Sequence, residues 1–519
     1  MKKITHIVIS LLLMVSYSYG QGEVEANQFS RTDLYGTARA ISMGGAFGAL
    51  GGDLTGVSIN PAGIAVYRSS EIATTAVLQS NKFKADNETN SKNKFNFHNL
   101  GFVGYFPTRN EMMPVVNFGF SYNKVKSFDR EIGAVGTNRN KSLADFMAAD
   151  SKGIHKDDLS FFDDEEGKYD PFLSDISWLS TLGYQSYLMD ADGDNKYKAL
   201  QHGGGGIEIS LYLSERGSID VYDFTVGTSI NNVLNLGVSL SVTDMYYDVY
   251  SENREDLPKV GNNFMLTNIV EKEGSGLGVK LGVIYRPIHQ LRLGLSYHSP
   301  TWYEMSEYYA AIVDHDIADY AADGYKVGFV DSRDDNRGYL SDKYKFKSPD
   351  KWTASAALVM GTNMIISMDY ELTDYGSMKY SNSYASEKGR FDFVNSRVKS
   401  DYKNSSAVRA GLEYRFTPQL SGRLGYAWMQ NPYDKSFVEY GDPSVIDART
   451  GFVIEGDANY FTGGLGYRFN RYFYLDFALV YKTQKDDLYA MPNVYDINLA
   501  PYKLTNNTIK GLLTLGYKF

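Results

Sequence analysis

Three groups of residues have the types and spacing to do chemistry. "AISMGGAFGALGGDLTGVSINPAGIA" (40–65) carries glycine at 44, 45, 48, 51, 52, 56 and 63, the composition of a loop that cradles phosphate. "DADGDN" (190–195) offers Asp190, Asp192 and Asp194 as hard oxygen donors for calcium. Histidines 98, 155, 202, 289, 298 and 315 could ligate a metal or move protons. None of the three completes its chemistry. The glycine stretch contains no GxGxxG and no GxxxxGK[ST], and it precedes the first strand signal where a phosphate loop would follow one. The acidic run has Asn195 at its sixth position and Gln201 at its twelfth, where an EF-hand needs Gly and Glu, so it reads as a solvated turn and only weakly as a calcium loop. The histidines show no HExxH or other paired spacing, and no GxSxG occurs. Cysteine is absent, which removes thiol nucleophiles, disulfides and thiolate metal sites. No enzyme, no cofactor and no dedicated metal site is expected.

The elements that hold these residues explain the composition better than any reaction does. In "IKGLLTLGYKF", Ile509, Gly511, Leu513, Leu515, Tyr517 and Phe519 lie on one face of a strand, with Lys510, Leu512, Thr514, Gly516 and Lys518 on the other. The same alternation runs through 276–286, 291–298, 407–414 and 473–482. The apolar face ends in Tyr or Trp, as an aromatic girdle does, and the opposite face is small, polar or glycine. Fourteen such segments are counted, joined by short turns at Asn231-Asn232, 287–290, 361–363, 417–419 and 470–471. They alternate with long segments at 84–95, 127–218, 255–275, 309–342, 382–399, 432–455 and 486–504. The expected fold is all-β: a 14-stranded antiparallel transmembrane barrel with long extracellular loops, chiefly 127–218 and 309–342, and with both termini periplasmic. No apolar run of 18 residues follows residue 20, so no membrane helix is expected.

The first twenty residues set the compartment. Lys2 and Lys3 precede the apolar run Ile7–Val15, and Ser18 and Gly20 place small residues at −3 and −1 of a cut before Gln21, the pattern of a secretory signal peptide over 1–20. A formal net charge of −10 disfavours a nucleic-acid partner. Between Gln21 and the first strand, residues 21–68 show no alternation. A lumen of this width needs filling, and glycines with the helix-stopping Pro61 suit a compact plug, or hatch. The barrel itself then spans 69–519.

"GTARAISMGGAFGALGGDLTGVSINPAG" (36–63) resembles the hatch of the FadL family of outer-membrane transporters for long-chain fatty acids and other hydrophobic compounds. "GLGVKLGVIYRPIHQLRLGLSYHSPT" (276–301) and "GLEYRFTPQLSGRLGYAW" (411–428) resemble the same family's hairpins. The resemblance implies passive uptake of a hydrophobic small molecule across the outer membrane of a Gram-negative bacterium: capture by outer loops, a pocket against the hatch, and lateral release. It marks Arg39, Gly44, Gly45, Asp53, Asn60, Pro61 and Ala62 as hatch and gating residues. It also implies a wall gap in an early strand, here around Asn117 and Gly119. Pro300, which cannot donate to a ladder, marks either a bulge or a second gap. Lumen-facing Lys280, Arg286, Arg292, His298, Arg409 and Arg423 offer a cationic lining for a carboxylate, unless they pair with Asp369, Glu413 and Asp476. Expected partners are outer-membrane lipids, the hydrophobic ligand, and the barrel-assembly machinery during insertion. A barrel of this fold that binds a protein partner, as PorV-type proteins do, and a porin for polar solutes are the alternatives. The terminal Phe519 is expected to serve as the assembly signal. Its deletion should reduce the folded, heat-modifiable barrel on gels without lowering synthesis, and unchanged migration would count against that role.

Overall fold

The structure, a computed structural model, describes residues 22–519 apart from 86–87, 165–166, 175, 194, 205, 318–328, 334–339, 384–388, 441–442 and 444–447. The expected signal peptide and Asp194 lie outside the described residues.

Fourteen wall strands close into one antiparallel barrel. They are β1 (Glu71–Ala85), β2 (Glu88–Pro107), β3 (Val115–Ser127, resuming as Arg130–Arg139), β4 (Ile207–Ile230), β5 (Leu234–Leu257) and β6 (Asn262–Tyr285). There follow β7 (Leu291–His298 and Trp302–His315), β8 (Leu340–Lys347 and Lys351–Met360), β9 (Met364–Asp374 and Lys379–Asn382) and β10 (Asn404–Arg415). The last four are β11 (Leu420–Met429), β12 (Phe452–Ile454 and Ala458–Arg468), β13 (Phe473–Tyr489) and β14 (Tyr502–Lys518). β14 returns to β1 in unbroken register from Glu71↔Lys518 to Ala85↔Leu504, and Ser70 and Phe519 exchange both backbone hydrogen bonds at the end of this seam. The alternation read from the sequence is the lipid face. Ile509, Leu513, Leu515 and Tyr517 are exposed outward, while Lys510, Leu512 and Thr514 between them are buried inward.

Short turns gather at one end and long loops at the other. Asn231 and Asn232 both adopt positive φ, 50° and 56°, which fits the twist of a tight hairpin. The loop end departs from expectation in four places. Of 84–95 and 255–275, expected as loops, residues 84–85, 88–95, 255–257 and 262–275 are continued strand, paired out to Ala85↔Glu88 and Leu257↔Asn262. Beyond the bilayer neither strand face has to be apolar, so these arms lack the contrast that marks a membrane strand. Within 127–218, only 140–206 is loop, because β3 resumes at Arg130 and β4 begins at Ile207. Within 309–342, β7 runs on to His315 and β8 starts at Leu340.

The lumen is occupied by residues 22–70. α1 (Glu23–Ser30) lies highest, followed by α2 (Ala38–Ser42), a glycine turn, α3 (Leu54–Ile59) and a 3-10 turn over Pro61–Val66. Above them α4 (Leu143–Asp150) and α5 (Trp178–Gln185) cap the mouth. Ser142 and Asp145 form a reciprocal capping box at the start of α4. Phe146, Met147, Leu179 and Leu182 bury against Ile207, Leu257, Leu266 and Leu488 on the strand tips. Each such burial is worth roughly 1.5–3 kcal/mol, enough together to hold the cap shut.

Hatch and wall meet backbone to backbone. Glycine occupies the inward position at 237, 282, 294, 411, 425 and 464, on β5, β6, β7, β10, β11 and β12. A Cβ at Gly282 would fall on the Asn60 side chain and the Ala62 amide, and one at Gly425 on the Gly44 amide. Gly425→Leu should therefore leave the lipid face and the folded barrel intact while expelling the hatch. Overpacking at such contacts typically costs about 1–3 kcal/mol. The expected readout is normal heat-modifiable migration together with steady conductance in planar bilayers. An electrically silent, folded variant would contradict it.

Candidate functional site

The hatch residues singled out in the sequence form its joints. Gly44 and Gly45 turn the chain after α2 with φ of 66° and 76°, and the Gly44 N–H donates to Thr462 Oγ1 at 3.1 Å. Asn60 adopts the extended geometry that Pro61 imposes. Its Nδ2 donates to Gly48 O (2.7 Å) and to Val283 O of β6 (3.1 Å), and its Oδ1 accepts from Ala62 N (3.1 Å). One amide thus ties the two halves of the hatch to each other and to the wall. Asp53 caps α3 by accepting from Thr55 N (2.9 Å) and the Thr37 hydroxyl (2.8 Å). Burial pushes its carboxyl up, against the pull of Arg39. Arg39 grips Glu413 with two nitrogens, at 3.0 and 3.1 Å, and its guanidinium lies 5.4 Å from the Phe47 ring centre.

The cationic lining is largely neutralised. Arg423 joins Glu413 and Asp476, both at 2.6 Å, and Arg409 joins Glu371 at 3.1 Å. Lys280 joins Asp223 at 2.8 Å. Arg292 donates to Leu50 O (2.6 Å), while His298 Nε2 lies 2.8 Å from Ile59 O. Arg286 leaves β6 at the short-turn end, where its backbone N–H donates to Val233 O. Of the six positions expected to line the lumen, Lys280, His298 and Arg409 reach the main cavity.

That cavity, about 130 Å³, lies between hatch and wall. Phe29, Leu34, Tyr35 and Ile59 form its hatch side, and Val125, Ile219, Val221, Val279 and Tyr303 its apolar wall. Lys280, His298, Lys351, Glu371 and Arg409 form a polar margin. Lys351, Asp223 and Glu371 were missed in the sequence reading. Their strands were legible, and parity with outward Trp352 would have turned Lys351 inward. α1 closes the cavity from above. Its Glu25 is ion-paired to Lys272 and Arg449, and Lys272 also meets Glu307 at 3.0 Å, with Glu25, Lys272 and Glu307 all essentially excluded from solvent. Tyr380 and Tyr402 donate to the carbonyls of Gly22 and Glu23, at 3.1 and 2.6 Å.

Two interruptions of the wall bear on the expected gaps, and neither is at Asn117 or Gly119. Those residues sit in regular ladders on both sides, opposite Tyr105 and Val103 of β2 and Gly227 and Thr225 of β4. Asn117 instead turns its amide inward to Ile64 O (2.8 Å) and Tyr67 O (3.2 Å), anchoring the hatch. The first break begins further toward the loop end. β2 pairs with β3 only from Asn99↔Asn123 to Pro107↔Val115, so Glu88–His98 bonds to β1 alone. A bulge places His98 and Asn99 both inward at that point. The resumed part of β3 follows β4 instead, starting at Arg130↔Glu215. Side chains replace the missing ladder: Lys94 to Asp129 (2.6 Å), Lys92 to Glu131 (2.8 Å), and Asn90 Oδ1 accepting from Gly133 N (3.1 Å). The second break is at Pro300, facing Ser348-Pro349 of β8. It is sealed. Ser299 Oγ accepts from Val279 N (2.8 Å) and Ser348 Oγ from Thr301 N (2.9 Å), so two hydroxyls stand in for ladder carbonyls. Pro300 marks a bulge, not a gap. In the 190–195 turn, Asp190 and Asp192 are exposed, and among the described residues no three acidic or histidine side chains converge on a metal position.

A family model for "Outer membrane protein transport protein (OMPP1/FadL/TodX)" matches residues 180–519. No curated protein matches the chain. Among solved structures, a Pseudomonas aeruginosa FadL homologue superposes with a TM-score of 0.52 at 12% identity, covering 94% of this chain and 100% of that one. The Ralstonia pickettii toluene transporter TbuX does so with a TM-score of 0.50 at 13% identity, covering 94% and 99%. At these identities the likeness is one of fold. The family match spans well over half the chain and agrees with the fourteen-stranded barrel, and so the protein belongs to the OMPP1/FadL/TodX family of outer-membrane transport proteins, which are channels and not enzymes.

Proposed function

We propose that this protein takes up hydrophobic compounds such as long-chain fatty acids passively, holds them in the cavity between hatch and wall, and releases them sideways into the membrane. The observation that carries this reading is the apolar cavity walled by Phe29, Leu34, Val125, Ile219 and Val221, whose Val125 belongs to β3, the strand that leaves β2 without a ladder partner from His98 outward. Outward-facing Phe97 brings the lower end of this seam to the bilayer, and lateral exit there needs such a seam, since breaking a continuous ladder in hydrocarbon would leave several backbone groups unpaired. The short-turn end, where Ser70 meets Phe519, faces the periplasm in this reading, and the α4–α5 cap with its neighbouring loops meets the ligand first. Residues 21–68 act as the hatch, with Asn60 as its fastening.

Two experiments test the proposal. The chain has no native cysteine, so Asn90→Cys with Gly133→Cys places a lone disulfide across the β2–β3 seam. Oxidation should lower uptake of a labelled long-chain fatty acid by about tenfold, equivalent to about 1.4 kcal/mol on the rate-limiting step, and reduction should restore it. Uptake at the wild-type rate in the oxidised state would rule out this exit.

The second concerns the hatch. Asn60→Ala removes three hydrogen bonds, each worth about 0.5–1.5 kcal/mol, and should weaken uptake while the barrel stays folded. Deleting 24–60 should go further and open a steady conductance. A deletion variant that stays silent and imports normally would sink the hatch assignment and favour a partner-binding barrel.

A further inference from the structure

The outward apolar band on β14 runs from Tyr517 to Ile509, about 27 Å of strand. At the usual strand tilt this is about 20 Å of height, close to the apolar belt of an outer-membrane barrel. The rows beyond it are polar. Ser91, Lys82, Asn507 and Thr483 lie side by side across β2, β1, β14 and β13. Next come Thr89, Lys84, Thr505 and Lys485 in the same order. One row further out, Lys503 bonds to Asp487 at 2.8 Å. Tyr481, the last aromatic of the band on β13, donates its hydroxyl to Asn507 Oδ1 at 3.2 Å. The first two rows beyond the band lie at the depth of lipid head groups.

Lys82, Lys84 and Lys485 are exposed, and none has an ion pair or side-chain hydrogen bond among the described residues. Lys84 and Lys485 flank Thr505 at two ladder spacings, about 10 Å, close enough for their charges to repel. The outward carboxylate in these rows, Asp487, is already held by Lys503. The chain is not short of acid, with a formal net charge of −10. It places that acid elsewhere. On β6 the outward band is equally long, from Tyr285 to Leu277, and the rows beyond it on β4, β5 and β6 carry Asp220, Asp244, Glu273, Asp248 and Glu271. A rim adapted only to water would intersperse the two signs. This one separates them, at one depth, onto two sides of the barrel.

We propose that the outer face of β13, β14 and β1 seats a phosphate-bearing lipid of the outer leaflet. Its acyl chains lie along Leu78, Ile509 and Leu479, and its phosphate lies between Lys84 and Lys485 over the Thr505 hydroxyl, with Lys82 below. Ammonium groups on flexible stems can converge on a phosphate from two strands and end their mutual repulsion. The occupant is a lipid and not a soluble anion because the lysines stand directly over an apolar surface that acyl chains must cover in any case. Held there, the lipid bridges the first and last strands of the barrel. This site goes beyond the uptake proposal and takes from it only that the long-loop end faces outward, which sets the leaflet.

Purified full-length protein in a non-ionic detergent is titrated with lipid A carrying its phosphates, with the same lipid stripped of them, and with inorganic phosphate. Native mass spectrometry counts the complexes. The phosphorylated lipid should bind about tenfold more tightly than the stripped one, and the gap should narrow as salt is raised. In the triple variant Lys82→Gln, Lys84→Gln, Lys485→Gln the two lipids should bind alike. A control that removes the same charge at three other exposed positions, Lys152→Gln, Lys399→Gln, Lys435→Gln, should keep the tenfold gap. Heat-modifiable migration and unchanged binding of the stripped lipid show that the triple variant is folded. A preference that survives the triple variant, or is lost equally in the control, overturns the assignment, as does equal binding of both lipids by the wild type. Inorganic phosphate that displaces the lipid at similar concentration makes this a free-anion site and overturns it too. So does a wild type without lipid preference that self-associates and becomes monomeric in the triple variant, since the basic face then meets the acidic β4–β6 face of a second copy. None of these measurements reads uptake or orientation, so failure here leaves the proposed function standing, and a failed uptake assay leaves this site standing.

Discussion

A barrel of fourteen strands is too wide for its own inward side chains to fill, and the rest of this molecule follows from that one mismatch. The chain fills the space with its own backbone. Side chains long enough to span the gap would bring conformational entropy and polar tips into the lumen, whereas main chain brings hydrogen-bonding groups that the wall can satisfy. Close approach of two backbones requires the wall to give up its Cβ atoms at the level of contact, which is why glycine recurs at 282, 294, 411 and 425 in strands that otherwise alternate apolar and polar. Asn60, Asp53 and Asn117 then supply the specific bonds that non-directional packing cannot.

The same lumen explains where charge can stay. Arg39, Arg409, Arg423 and Lys280 lie where water is scarce, and each is bonded to a carboxylate on the wall. These pairs fasten strands to one another and to the hatch, and removing one partner would strand the other. A cationic set counted from the sequence therefore overstates what a ligand would meet. The groups with charge to spare, Lys351 and Lys510, occupy positions where no acidic residue faces them across the ladder, Lys351 lying opposite His298 and Thr373, and Lys510 opposite Gln79 and Val480.

Much of the fold was legible because the bilayer imposes a rule on every second residue. Leu513, Leu515 and Tyr517 face lipid and must be apolar, so the strand count and the short turns could be read directly. The rule lapses outside the membrane, and there the reading failed: 88–95 and 262–275 are strand because neighbouring segments offer ladder partners, a fact about space that no local pattern encodes. The wall seam was misplaced for a similar reason. The resemblance placed it around Asn117 and Gly119, but whether a strand keeps its neighbour depends on where β3 turns after Ser127, and the sequence there, Phe128-Asp129, carries no distinctive signal. Pro300 was correctly marked as a break. What the sequence could not show was the pair of serines that mend it. The hatch joints at Gly44, Gly45, Asn60 and Pro61 were legible because unusual backbone geometry restricts residue choice, whereas the unpaired Lys510 emerges only once all its neighbours are known.

The continuous seam between β14 and β1, closed by Ser70 and Phe519, bears on how such a molecule can be made. Segment 22–70 touches β5, β6 and β7 on one side of the barrel and β10, β11 and β12 on the other, so its native contacts span nearly the whole chain in sequence. Such contacts form late, because the intervening chain must be ordered first. Yet the last wall pairing joins the chain's final strand to the strand that begins at the hatch's own end. The order of events is thereby constrained: the hatch must already be threaded among the open strands when the first and last of them meet, and insertion, filling and closure become one coupled step and not three.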